Sequence, residues 1–188
     1  MQVTEQFVSA LDYAVRLHGG QMRKGTDIPY VSHILAVAAL VMESGGDQDE
    51  TIAALLHDAV EDCGGRPVLN EIRSRFGDRV ADIVDGCTDA YTEPKPPWKA
   101  RKEQYLHHLE DASESILLVS NADKLHNARA ILTDYREIGE QIWERFNAER
   151  DETLWYYSEL SSLFARRRPS RLSVELRGVI AELTEICP

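Results

Sequence analysis

The segment HDAVED (57–62) places one imidazole and three carboxylates within six residues. On a helix Asp58, Glu61 and Asp62 stand at i, i+3 and i+4, so their carboxylates share a face, with His57 about 100° round from Asp58. For stability alone this is a poor arrangement. Like charges at that spacing repel by a few tenths of a kcal/mol per pair, and anions near a helix C-terminus oppose its dipole by roughly 0.3–1 kcal/mol each. A bound cation reverses the sign of every one of these terms. Two further groups have matching chemistry: His33, at the start of an apolar helix, and Asp123, on a polar stripe with Ser120 and Asn127 in a later one. If they converge on the HD pair, His33, His57, Asp58 and Asp123 form a mixed nitrogen and oxygen set suited to Mn, Fe or Zn. In an octahedral ion that set leaves two positions for water and substrate, as metal-assisted hydrolysis requires. The bland alternative is a solvated acidic helix end.

Apolar residues recur at three- and four-residue spacings almost throughout, and strand-like alternation is nearly absent, so the fold class expected is an all-α helical bundle. A first helix is expected over about 4–18, with Phe7, Leu11, Ala14, Val15 and Leu17 inward, ending at Gly19-Gly20. The loop GGQMRKGTDIPY (19–30) follows, and a helix from about 32 to 43 is stopped by Gly45-Gly46. Asp47 and Glu50 have the spacing of a capping box for a third helix, which carries Ile52, Leu55, Leu56 and Ala59 and runs to about Cys63. Shorter helices are expected at about 68–76 and 79–87, then a proline-rich loop over 89–98. Helices at about 99–110, 114–132, 138–164 and 172–186 complete the bundle.

The length of 188 residues suits one domain, 1–188, with a motif-bearing core at about 10–132 and C-terminal helices at about 138–188. With 21 Lys and Arg against 32 Asp and Glu, the net charge of -11 disfavours nonspecific attraction to nucleic acid or an anionic membrane. The longest apolar run, Leu35 to Met42, is far short of the roughly 20 residues of a membrane span. Three cysteines, Cys63, Cys87 and Cys187, with no CxxC pair, speak against a disulfide framework and for a reducing, cytoplasmic setting. Exposed apolar stripes would allow a homo-oligomer, for which the chain carries no specific signal.

The order His33, His57-Asp58, Asp123 resembles the signature of the HD superfamily of metal-dependent phosphohydrolases, an all-helical family. The match is closer to the hydrolase domain of RelA/SpoT proteins and its free-standing form, the small alarmone hydrolases. It rests on GQMRK (21–25), PYVSH (29–33) followed by LAVA, AALLHDAVED (53–62), FG (76–77) then VDGCTD (84–89), and NADKLHNAR (121–129), with a weaker echo in ERDETLWYYSEL (149–160). The resemblance implies removal of the 3′-pyrophosphate of (p)ppGpp with Mn²⁺ as the usual metal. It implies His33, His57, Asp58 and Asp123 as ligands, and Glu61 and Asp62 as the pair that orients or deprotonates the attacking water. It also implies that Arg23 packs on the base, that Lys24 serves the nucleotide's charge and that Asn127 contacts the nucleotide near the scissile group. A guanidinium has a flat, weakly hydrated face suited to a purine, whereas an ammonium acts as a point charge. A polyanionic substrate needs a local basic patch in this acidic chain, for which Arg23, Lys24, Lys124 and Arg129 are the candidates.

Two departures from the family pattern stand out: Ile34 where proline often follows the first metal histidine, and a loop KGTDIPY one residue longer than the common form. The second bears on base preference. The length leaves no room for the synthetase and regulatory domains of long RelA/SpoT proteins. His18 and His126 read as supporting groups, His107-His108 as a solvated face, and Trp143, Trp155, Tyr156 and Tyr157 as packing residues, with one tyrosine allowed near a nucleotide. ARRRPSR (165–171) reads as a solvated helix end, and Cys63 is given no catalytic role. The alternatives are hydrolysis of (p)ppApp, of the 2′-phosphate of NADPH or of a nucleoside monophosphate. From a different class, the chain could be a nucleotide sensor or a neutralising partner of an alarmone synthetase.

Overall fold

The computed structural model describes residues 3–91 and 96–187, and among these every regular element is a helix, with one isolated bridge between Met22 and Pro29. The elements are α1 (Glu5–His18), α2 (Val31–Glu43), α3 (Gln48–Leu56), α4 (Ala59–Cys63), α5 (Gly65–Phe76), α6 (Asp78–Cys87), α7 (Trp98–Asp111), α8 (Glu114–Ile138), a 3-10 helix (Gly139–Arg145), α9 (Arg150–Arg167) and α10 (Arg171–Ile186).

α3 lies at the centre. Every residue from Thr51 to Leu56 is buried, and the helix packs on α1, α2, α6 and α8. A helix apolar on all sides needs a firm start, and the expected capping box supplies it. Asp47 Oδ1 accepts from the Glu50 amide (3.0 Å), while the Asp47 amide donates to Glu50 Oε2 (2.8 Å). α2 stops where Gly45 takes φ +80°, a conformation that side-chain-bearing residues avoid. α8, 25 residues long, is buried from Leu117 to Asp123 and packs on α2, α3, α6, α9 and α10. Together α2, α3 and α8 frame the metal-type side chains.

Several expectations are corrected. The third helix does not run through to Cys63: it breaks at His57-Asp58 and restarts as α4, with Asp58 at φ -98°, ψ -3°. The His57 ring occupies the carbonyl of Ala54 (2.8 Å), and Asp58 leaves helical geometry in the sparsely populated bridge region where many active-site residues sit. The single helix expected over 138–164 is a 3-10 turn followed by α9, because Gly139 at φ +60° ends α8. Val15 is 41% exposed rather than inward. Of the loop expected over 89–98, residues 92–95 lie outside the described set, and Trp98 already belongs to α7. The basic run 165–171 stays largely solvated, with Arg166 and Arg171 exposed, while Arg168 turns in towards Glu114.

Candidate metal centre

His33 comes from the first turn of α2, His57 and Asp58 from the break between α3 and α4, and Asp123 from the middle of α8. One ligand atom from each lies within 4.8 Å of the others. His57 Nε2 stands 2.9 Å from Asp58 Oδ2 and 3.6 Å from Asp123 Oδ1, and His33 Nε2 stands 3.2 Å from Asp123 Oδ1 and 3.7 Å from Asp58 Oδ2. Yet neither Nε2 has a hydrogen-bond partner, although both are buried. The carboxylate oxygens are near the ring nitrogens but off the line of a ring N–H. Buried ring nitrogens without partners are costly, and a cation that takes both lone pairs removes the cost. The donor set therefore fits a divalent metal.

The opposite nitrogen of each ring is braced. His57 Nδ1–H donates to the Ala54 carbonyl (2.8 Å), which leaves Nε2 as the free lone pair. His33 Nδ1 faces His126 Nδ1 at 2.8 Å, and donation from His33 again leaves its Nε2 inward. Burial, aided by the nearby Arg23 guanidinium, pushes His126 down to about 4, so it is neutral and able to accept. Tyr30 donates its hydroxyl to Asp58 Oδ2, and its ring stacks on His18. Burial and the charge of Asp58 raise the Tyr30 pKa, which keeps that proton in place.

Burial would favour neutral carboxyls, but His57 holds Asp58, and Lys124 with His33 and His57 holds Asp123, well below the usual carboxylate range. Burial likewise opposes a charge on His57, and with no cation between them the two carboxylates outweigh it and raise its pKa well above normal, so that a metal taking the Nε2 lone pair would displace a proton. The cluster is an anionic cradle that draws positive charge to its centre.

Asp62 is exposed, and its Oδ2 accepts from Gln21 Nε2 (2.9 Å), whose Oε1 accepts from His18 Nδ1–H (2.7 Å). Glu61 is half-buried on α4. Beside the cluster a cavity of ≈ 280 Å³ is walled by Arg23, Lys24, Tyr30, Asn127, Arg145 and Tyr157, among others. Asn127 wires it to the cluster, since its Nδ2 donates to Asp123 Oδ1 (2.6 Å) and its Oδ1 accepts from Arg23 Nη2 (2.9 Å). Lys24 is exposed and donates to Asn147 (2.9 Å).

The structure thus brings together the four expected ligands, and places Arg23, Lys24 and Asn127 on one cavity. Arg129 is corrected: it lies six residues beyond Asp123 on α8, and pairs with Glu175 of α10. Tyr30, Gln21 and Arg145 were not singled out from sequence, although the first two sit inside recognised motifs. His126, expected to be a supporting group, is one. Arg145 carries no local signal, because only the 3-10 turn brings it to the cavity.

A family model described as HD domain matches residues 10–154. The chain is 38% identical over 125 residues to a Xenopus tropicalis protein named guanosine-3′,5′-bis(diphosphate) 3′-pyrophosphohydrolase MESH1, covering 65% of this chain and 67% of that one. The human protein of the same name is 37% identical over 127 residues, covering 66% and 68%. Among solved structures, one reported as a metazoan ortholog of SpoT that hydrolyzes ppGpp matches with a TM-score of 0.79 at 23% identity, covering 97% of this chain and 98% of that one. With a matching model over residues 10–154, most of its length, the chain belongs to the HD domain family.

Proposed function

We propose that the chain is a metal-dependent guanosine 3′,5′-bis(diphosphate) 3′-pyrophosphohydrolase, which converts (p)ppGpp to GDP or GTP and pyrophosphate. The observation that carries this reading is the pair of unpartnered imidazole nitrogens facing two carboxylates, wired through Asn127 to a cavity that holds Arg23 and Lys24. Relatives named for this reaction support it.

His33, His57, Asp58 and Asp123 would hold the ion, for which Mn²⁺ is the proposed choice and other divalent metals are compatible with the donor set. When bound, such an ion lowers the pKa of a water and neutralises phosphate charge. The water oxygen forms a bond to the phosphorus on ribose O3′, the P–O3′ bond breaks, and O3′ departs with a proton. Glu61 or Asp62 accepts the proton lost by the water, and returning it to O3′ completes the balance. Gln21, itself fixed by His18, orients the Asp62 carboxylate for that task. Tyr30 fixes the rotamer of Asp58. Arg23 offers its guanidinium plane to the base, Lys24 its charge to the phosphates, and Asn127 its amide near the sugar. The three free cysteines fit a reducing, cytoplasmic location, and among the described residues no helix is long and apolar enough to cross a membrane.

The test is turnover of ppGpp in ¹⁸O-labelled water, with ppApp in parallel. The expected products are GDP and pyrophosphate, with label only in the pyrophosphate. Release of single phosphates, or silence on both nucleotides with Mn²⁺ demonstrably bound, overturns the reading in favour of another phosphoester or a sensor.

A further inference from the structure

The cavity beside the metal cluster carries a charged pair at its far end. Asn127, Ile131 and Asp134 all line it and stand at i, i+4 and i+7 on α8, so they share one face. Seven residues of helix rise about 10 Å, which sets Asp134 a nucleoside's length beyond Asn127, the residue bonded to Asp123. There Arg145 Nη1 donates to Asp134 Oδ2 (2.7 Å), and the two side chains are 24 and 30% exposed. The stem of Arg145 rests on Gly25, where an added Cβ would meet Arg145 Cδ at 2.7 Å. Between the two ends the wall is apolar, with Ile28, Ile131, Ile142 and Phe146.

An apolar cavity with a few polar groups converging at one end is the common form of a site for a heterocycle. A carboxylate has about four lone-pair sites, and among the described residues the Asp134 carboxylate is engaged by Arg145 alone. Arg145 in turn has five N–H groups and gives one to that bond. The pair therefore keeps a donor and two acceptor oxygens side by side for a ligand. Guanine presents the complementary row: the O6 acceptor, then the donors N1–H and the 2-amino group. Adenine presents a 6-amino donor where guanine has O6, and a lone pair on N1. Against the same pair it sets donor on donor and lone pair on lone pair, the kind of mismatch by which a site rejects a near isostere.

We infer that Asp134 and Arg145 read the Watson–Crick edge of guanine and set a preference for guanine over adenine nucleotides, Asp134 accepting from N1–H and the 2-amino group and Arg145 donating to O6. The inference rests on the proposed reaction for placing a nucleotide in this cavity, but it is defined by binding of the base and not by turnover. Neither residue touches the reacting phosphates.

The experiment uses the Mn²⁺-loaded full chain and its Asp134→Asn and Arg145→Met variants. Calorimetry with GDP, inosine 5′-diphosphate and ADP measures the reading of the base, and kcat/KM is compared for ppGpp and ppApp. The intact chain should bind GDP more tightly than the inosine nucleotide, which lacks the 2-amino group, and ADP most weakly. In Asp134→Asn the bond from Arg145 holds the amide oxygen, so the amide nitrogen takes the place of an acceptor. GDP affinity should then fall about 10- to 100-fold, the worth of a charge-assisted hydrogen bond, and the ppGpp to ppApp ratio of kcat/KM should fall with it. ADP affinity should rise, because the amide nitrogen can donate to adenine N1. A pair that only tied the 3-10 turn to α8 would lower both affinities alike. Arg145→Met should also narrow the GDP to ADP ratio, and it carries the test if Asp134→Asn does not fold. Equal affinity for GDP and ADP in the intact chain, equal loss of both in the variants, or no binding of any of the three nucleotides overturns the inference. An Asp134-dependent preference for GDP in a chain that leaves ppGpp intact would uphold the reading of the base and overturn the proposed reaction instead.

Discussion

His33, His57 and Asp123 are 0, 2 and 5% exposed and sit on or between helices packed in the core, whereas the wall of the adjoining cavity joins one face of α8, at Asn127, Ile131 and Asp134, and Tyr157 of α9 to the 19–30 loop and the 3-10 turn. The donors of the cluster are each braced by a neighbour: Ala54 carbonyl, His126, Tyr30 or Asn127. The cavity wall is held by contacts between irregular segments, such as Lys24 on Asn147 and the aliphatic stem of Arg145 against Gly25. The cluster therefore inherits its geometry from the core, and the cavity owes one wall to α8 and the other to contacts between irregular segments. Chemistry should be brittle in the first region, and substrate preference adjustable in the second.

The largest effects should come from the cluster. Asp123→Asn should remove bound Mn²⁺ and lower kcat by more than about 100-fold, beyond the range usual for residues that only brace a ligand. Glu61→Gln should keep the metal and lose about 10²- to 10⁴-fold in kcat, the scale of a missing general base. Metal content by mass spectrometry beside turnover separates the two.

Bracing comes next. His126→Phe removes the acceptor for His33 Nδ1–H, and should weaken Mn²⁺ affinity by about 10- to 100-fold while kcat at saturating Mn²⁺ stays close to wild type. A loss of kcat with unchanged affinity would break the comparison, since it would make His126 part of the chemistry.

The cavity should respond in KM. Arg23→Ala should raise KM by about 2- to 30-fold, the value of a cation against a ring, with Mn²⁺ binding intact. Gly25→Ala sharpens the point, because Gly25 has φ +70° and a Cβ there would meet Arg145 Cδ at 2.7 Å. A rise in KM is expected without any change in metal affinity.

The smallest effect is on stability. Burial would raise the Asp89 carboxyl, but Lys102 and Arg101 hold it down at about 2. A carboxylate depressed on folding stabilises the native state above its unfolded value and loses that contribution as pH falls from about 4 to about 2, an amount of about 2 kcal/mol. Asp89→Asn should flatten that part of the urea-unfolding profile between pH 5 and 2.5.

Much of the cluster was legible in the chain because its donors lie in short motifs on helices whose periodicity is plain. The capping box at Asp47 and the stripe of Asp123 and Asn127 came from local spacing. The break at His57-Asp58 did not, because helical periodicity continues through it, and only the ring bond to Ala54 and the aim of Asp58 reveal it. Gly139, which turns α8 into the 3-10 helix, sits in a stretch whose apolar residues keep a helical rhythm. Arg145 reaches its place through packing between elements distant in sequence, and no local pattern marks it.

The most direct test is pyrophosphate release from ppGpp by metal-stripped protein, before and after return of one equivalent of Mn²⁺. No release before and full turnover after is the result expected of a chain whose four donors hold the working ion. Undiminished release from protein shown to be free of metal would contradict the account at its centre.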